Sequence, residues 1–164
     1  MIKLIVLDVD GCMTDGKIVY TQKGDELKAF NVKDGFAIVN WIRLGRAAAI
    51  ITGRSSKIVE RRAKELGIRH FYQHVKDKLA MLENLCEELG IECSEVAVIG
   101  DDLNDYRMLK ACGISFVPAD ANHYVIDIAD VVLSKNGGEG AIREMIELLI
   151  RQEGLEEEYL ALWT

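Results

Sequence analysis

The run Lys3-Leu4-Ile5-Val6-Leu7 ends on Asp8-Val9-Asp10-Gly11, and this junction constrains the chain more than any other stretch. An apolar, β-branched segment without polar alternation reads as a strand covered on both faces. Two carboxylates, two residues apart, then stand at its carboxyl end. Charge at the rim of an apolar core is costly unless a cationic group meets it. A divalent metal is the simplest such group, and acidic metal sites at strand carboxyl ends usually handle phosphate.

The rest of the chain alternates in the same idiom. Strand-like runs fall at 3–8, 47–52, 70–72, 96–100, 114–117 and 131–133, with helical patterns at about 35–44, 55–66, 77–89, 102–111, 122–128 and 139–151. Gly45, Gly67, Gly90 and Gly113 follow helical patterns, as stop glycines do. Strand–helix alternation with right-handed crossovers predicts a doubly wound, mostly parallel α/β sheet. One segment departs from this rhythm. Lys17–Thr21 and Glu26–Phe30 flank Gln22-Lys23-Gly24-Asp25, which predicts a β-hairpin over about 17–30. It follows the acidic strand end directly and is expected to project over it as a lid, a subunit contact or both. No repeat and no boundary divides residues 1–164, so one domain is expected.

Composition narrows the function classes. The net charge of −7 argues against nucleic acid as the main partner, because backbone phosphates need a basic face. Part of that excess, Glu153 and Glu156–Glu158, reads as a solvated helix end. Cys12, Cys86, Cys93 and Cys112 show no CxxC spacing, which fits reduced thiols in a cytoplasmic protein better than zinc or a disulfide framework. No apolar run reaches the ~18 residues needed to span a bilayer, and no signal-peptide pattern opens the chain, so no membrane partner is expected.

Ligands of an α/β sheet gather outside the carboxyl ends of its strands. Those ends carry Asp8 and Asp10; Thr52, Gly53 and Arg54; and Asp101, Asp102 and Asp105, while Lys78 opens the helix after the short third strand. Each has an ordinary reading: a turn at Asp10-Gly11, a helix cap at Asp101-Asp102, a solvated lysine at 78. Together they form one chemistry. Convergent carboxylates repel unless a cation intervenes, and all-oxygen ligands suit Mg²⁺. A threonine hydroxyl, the following N–H groups and a lysine suit phosphate. Gly137-Gly138-Glu139-Gly140 before a helix is a further candidate anion cradle. His70, His74 and His123 form no ligand cluster, and Trp41 reads as a helix packing residue.

In this order, Asp8-x-Asp10-Gly11, Thr52, Lys78 and Gly100-Asp101-Asp102-x-x-Asp105 resemble the four motifs of the haloacid dehalogenase superfamily of phosphotransferases. The resemblance implies a Rossmann-like core without a cap domain. The hairpin after the first motif resembles the sugar-acid phosphatase branch, which implies a homotetramer. Within that branch, Glu26–Gly35, Ile50–Arg54 and Tyr72-Gln73 are similar to phosphatases that act on 3-deoxy-D-manno-octulosonate 8-phosphate for lipopolysaccharide biosynthesis. Nonulosonate (KDN or sialic acid) 9-phosphates are the alternative substrates.

The same resemblance implies roles. Asp8 is the expected nucleophile, forming an aspartyl-phosphate, and Asp10 the acid that protonates the leaving oxygen and later activates water. Asp8, the Asp10 backbone carbonyl and Asp101 are the expected Mg²⁺ ligands, with Asp102 and Asp105 behind them or acting through water. Thr52 and Lys78 neutralise phosphoryl oxygens. Substrate contacts are expected at Asp10, Asn31, Val32, Lys33, Asp34, Gly35, Thr52, Gly53, Arg54, Arg62 and Lys78, with a guanidinium at 54 or 62 apt for the sugar carboxylate. Cys12, Val39 and Glu139 depart from residues common in relatives. A receiver-like phospho-acceptor module is the reading from another class. It also uses aspartate, Mg²⁺, threonine and lysine, but lacks a second acid like Asp10.

Overall fold

The computed structural model describes residues 1–164. In chain order, β1 (Leu4–Leu7) is followed by the short strands β2 (Val19–Tyr20) and β3 (Glu26–Leu27), then α1 (Val32–Arg43), β4 (Ala47–Ile51), α2 (Lys57–Glu65), β5 (His70–Tyr72) and α3 (Lys78–Leu89). The second half runs β6 (Val96–Ile99), α4 (Tyr106–Ala111), β7 (Ile114–Val117), α5 (His123–Ile126), β8 (Val131–Val132), α6 (Ala141–Gln152) and α7 (Glu156–Ala161). Six strands pair in the order β5–β4–β1–β6–β7–β8, all parallel. From β1 the chain winds outward through β4 and β5, then returns to β6 and winds the other way. The strand order therefore reverses between β1 and β6, which opens a crevice at their carboxyl ends.

Side-chain alternation explains why the central strands are apolar throughout. Ile5, Leu7, Ile50, Ala97 and Ile99 join a core with α1, α2 and α6, including Trp41, Met145 and Ile146. Leu4, Val6, Ala49, Ile51, Val96 and Val98 face a second core with Leu82 and Leu85 of α3, Met108 of α4 and Val125 of α5. Trp41 is buried, and its Nε1 donates to the Ala47 carbonyl.

Boundaries differ from the sequence pattern for local reasons. α1 begins at Val32 rather than near 35 because the Asn31 side chain accepts from Lys33 N and Asp34 N and starts the helix early. The pattern at 102–111 divides into a 3₁₀ turn at Leu103–Asp105 and α4. The hairpin is present, but only Val19–Tyr20 and Glu26–Leu27 pair. The acidic run at 156–158 forms the first turn of α7, where negative charge suits the helix dipole. No helix is long and apolar enough to cross a membrane.

Candidate active site

The crevice between β1 and β6 collects the acidic residues. Asp8 N donates to the Ile99 carbonyl (3.2 Å), so the first carboxylate leaves the sheet alongside the end of β6. Lys78, from the first turn of α3, is 2% exposed and donates to Asp8 Oδ1 and Asp105 Oδ1, both at 2.6 Å. Asp105 is fully buried. Its Oδ2 accepts from Asp101 N (3.0 Å) and Asp102 N (3.4 Å), which folds the loop after β6 back over the crevice. Asp102 Oδ1 accepts from Leu103 N (2.8 Å), so this residue serves as a cap.

Gly11 shows how tightly the two halves meet. Its φ is +100°, and a Cβ there would lie 1.9 Å from Asp101 Oδ2 and 2.5 Å from Asp101 Cγ. The Asp101 carboxylate occupies the space a side chain would fill.

The donor set fits a divalent cation. Of the three clustered carboxylates, Asp8 and Asp105 share one ammonium, Lys78, and Asp101 has no cationic partner. Burial, followed by repulsion from Asp105, raises Asp8 to about 7 against the pull of Lys78. Burial, then Asp8 and Asp105, raises Asp101 to about 8. Burial also opposes charge on Lys78, but Asp8 and Asp105 outweigh it and hold the ammonium charged, above its ordinary pKa. Ligand atoms of Asp8, Cys12 and Asp101 lie within 4.8 Å of one another. The Cys12 thiol is pushed well up by burial and the three aspartates and stays protonated, so the oxygens are the useful donors for a hard cation.

Asp8, Asp10, Thr52, Gly53, Arg54, Asp101, Asp102 and Asn104 line a polar cavity of ≈ 190 Å³ with no hydrophobic wall. Thr52 is buried and tied by backbone hydrogen bonds to Tyr72 and Val75. The loop after it is held by Gln73 Oε1, which accepts from Ser56 N (2.9 Å), and by His74 N donating to the Arg54 carbonyl (3.3 Å). Arg54 Nη2 pairs with Glu26 (3.2 Å), while its Nη1 is shielded and has no partner in the protein. An unpaired guanidinium donor beside a polar cavity suits an anionic ligand.

Several candidate residues lie elsewhere. Asn31 spends its side chain on the α1 cap, and Val32 and Lys33 are exposed. Asp34 is buried with Oδ1 accepting from Arg143 N (2.8 Å). It caps α6 from a distance, because the residue at that helix's own start is Gly140, which has no side chain to do so. Desolvation raises Asp34 to about 6 despite those bonds. Gly35 and Arg62 pack against each other, with Arg62 over the Phe30 ring (5.6 Å) and near Glu65 (3.6 Å), away from the cavity lining. Lys78 lies beneath the cavity, bound to Asp8. Gly137–Gly140 is no anion cradle: Gly137 N donates to Asp120 and Gly138 N to the Cys12 carbonyl. A Cβ on Gly137 would lie 1.8 Å from the Gly11 carbonyl oxygen, so the segment buttresses the acidic loop. Sequence reasoning missed Asn104, which its position inside the Asp101–Asp105 motif signals, and Glu26 and Lys28, which no periodicity singles out.

Residues 71–146 match the family model of haloacid dehalogenase-like hydrolases. The chain is 44% identical over 157 residues to the 3-deoxy-D-manno-octulosonate 8-phosphate phosphatase KdsC of Escherichia coli K12, covering 96% of this chain and 84% of that protein. Among solved structures, the 3-deoxy-D-manno-octulosonate 8-phosphate phosphatase of Moraxella catarrhalis, in complex with a magnesium ion, a phosphate ion and KDO, superposes with a TM-score of 0.96 at 42% identity, covering 99% of this chain and 94% of that one. The cobalt-bound deoxy-D-mannose-octulosonate 8-phosphate phosphatase of Haemophilus influenzae gives 0.89 at 38% identity, covering 93% and 90%.

Proposed function

This chain belongs to the haloacid dehalogenase-like hydrolases, in the family of the 3-deoxy-D-manno-octulosonate 8-phosphate phosphatases, and we propose that it hydrolyses that sugar phosphate to the free sugar acid and phosphate. One observation carries the reading. A buried aspartate held by a buried lysine stands beside a second aspartate that has no cationic partner, in the lining of a small polar cavity that also holds Asp10, Thr52 and Arg54. Such a set is of little use for stability and well suited to phosphoryl transfer.

Asp8 is the nucleophile. One of its oxygens attacks phosphorus, and the P–O bond to the sugar breaks with its electron pair on the sugar oxygen, which takes a proton from Asp10. In the second half, water attacks the aspartyl-phosphate and gives its proton to Asp10, and the P–O bond to Asp8 breaks to release phosphate. Lys78 fixes Asp8 and supplies positive charge beside it, Thr52 and the Gly53 N–H donate to phosphoryl oxygens, and Arg54 Nη1 takes the substrate's anionic group. Asp8, Asp101 and the Asp10 carbonyl are the residues that would hold Mg²⁺, whose chemistry there is neutralisation of the phosphoryl charge. The displacement of Asn31–Gly35 and Arg62 from the cavity lining leaves the Arg54 guanidinium as the selective contact of this subunit.

Chain 1–164 acts as one domain in this reading, in the cytoplasm and as a homotetramer, with the exposed hairpin residues Ile18, Val19, Tyr20 and Leu27 as the apolar surface available to neighbouring copies. The test of function is phosphate release from 3-deoxy-D-manno-octulosonate 8-phosphate with Mg²⁺, run beside nonulosonate 9-phosphates. The octulosonate is expected to have the higher kcat/KM, and a preference for the nine-carbon substrate would overturn the assignment. Sedimentation equilibrium on a variant lacking the 17–30 hairpin loop tests the assembly: a tetramer that survives the deletion removes the hairpin from the interface.

A further inference from the structure

The hairpin carries a buried ammonium that belongs to none of the candidate sets of the sequence. Lys28 follows β3 directly, and its side chain is 2% exposed. A lysine gives up its hydration to this extent only against paired charge. Its Nζ lies 2.5 Å from Asp10 Oδ1 and 3.2 Å from Glu26 Oε1, and Glu26 Oε1 in turn lies 3.2 Å from Arg54 Nη2. A chain of charges, Asp10–Lys28–Glu26–Arg54, thus links two residues of the cavity lining, from the loop after β1 to the loop after β4, with the hairpin as its middle.

No other protein group donates to the Asp10 carboxylate. Asp10 itself sits in a non-helical stretch of backbone (φ −76°, ψ 108°) beside Gly11, where a short side chain has several rotamers open to it. A carboxyl group transfers a proton through one oxygen. With Oδ1 held by Lys28, Oδ2 is the oxygen left for the leaving group and later for water. We propose that Lys28 is a positioning residue for Asp10, and that the hairpin thereby belongs to the catalytic apparatus of its own subunit whatever it contributes to assembly. The proposal rests on the reading of Asp10 as the proton donor.

Leaving groups separate the two ideas. kcat/KM reports the steps up to expulsion of the leaving group. Expulsion of a sugar alkoxide needs a proton, whereas p-nitrophenolate leaves without one. Asp10→Asn is the reference: it is expected to lower kcat/KM about 10²-fold or more for the sugar phosphate and less than about 5-fold for p-nitrophenyl phosphate. Lys28→Met is expected to reproduce that pattern, with a loss of about 10²-fold on the sugar phosphate, the scale of a misplaced catalytic group, and little change on p-nitrophenyl phosphate. Lys28→Arg, which keeps a cation at the carboxylate, is expected to recover at least about tenfold of it. Equal losses of Lys28→Met on both substrates, or none on either, overturn the positioning role while the Asp10 reference stands. A reference without leaving-group dependence overturns the reading of Asp10 itself. Should Lys28→Met not fold, Lys28→Arg decides alone, since an equal loss on both substrates overturns the proposal.

Discussion

The two ends of the sheet differ in a way that size alone would misjudge. A hollow of ≈ 710 Å³ lies at the amino ends of β4 and β5, lined by Ile42, Ala48, Lys64, Ile68, Arg69 and His70 among others. The polar cavity at the carboxyl ends is about a quarter of that size, ≈ 190 Å³. The charges around the large hollow are relaxed. Arg46 pairs with Glu153 (3.0 Å) and stacks over Trp41, Lys64 pairs with Glu60 in the open, and Arg69 faces solvent. At the small cavity, carboxylates are buried in excess of their cations and their pKa values rise accordingly. Chemistry resides where the fold holds charge against its preference, even where a roomier hollow is present.

The sharpest way to break this contrast is at Asp8. Asp8→Asn is expected to lower kcat on the order of 10⁴-fold or more, measured as phosphate release with slow deamidation excluded by mass spectrometry. An active Asp8→Asn protein removes the nucleophile from the small cavity.

The next largest effect is on stability. Lys78→Met leaves Asp8 and Asp105 buried without their shared cation, and metal-free protein is expected to lose about 3–5 kcal/mol in urea unfolding. A loss below about 1 kcal/mol would mean that the carboxylates were not held by Lys78 at all.

Metal and pH sharpen the comparison further. In the fold, Asp8 and Asp101 keep protons up to about 7 and about 8, whereas unfolded aspartates ionise near ~3.9. The native state therefore binds more protons across that interval, and metal-free protein loses stability as pH rises from about 4 to about 8. A divalent cation replaces those protons, so its stabilising effect grows over the same window. Thermal midpoints with Mg²⁺ and with chelator are expected to differ by about 5 °C at pH 8 and by less than about 2 °C at pH 5. A gap that is flat in pH would contradict the charge imbalance. The smallest effect belongs to the large hollow: Lys64→Ala is expected to leave kcat/KM within about twofold and the unfolding midpoint unmoved, because its ion pair is exposed.

Much of this was legible in the chain. The β1 run, the acids that follow it and the acids after β6 are local patterns, and buried parallel strands force their ends to one edge. What escaped was set by long-range geometry. Asp34 looks like a loop acid near the substrate, but the far end of the chain recruits it, because α6 starts at a glycine and needs a cap. Asn31 reads as a polar contact residue and is consumed by its own helix. Gly137–Gly140 has the composition of an anion loop, yet its glycines exist so that one backbone can lie against another. Lys28 emerges from a two-residue strand, too short for alternation to tell which way a side chain points.

The contact between Gly11 and Asp101 has a consequence for how the protein matures. The two partners are far apart in sequence and meet only when Leu7 stands beside Ile99 in the central strand pair. A slip of one residue would turn Asp8 to the opposite face and part the acids. Affinity for a divalent ion is then a property of the finished molecule alone, and uptake of the ion marks the moment at which a newly made chain has found its correct alignment.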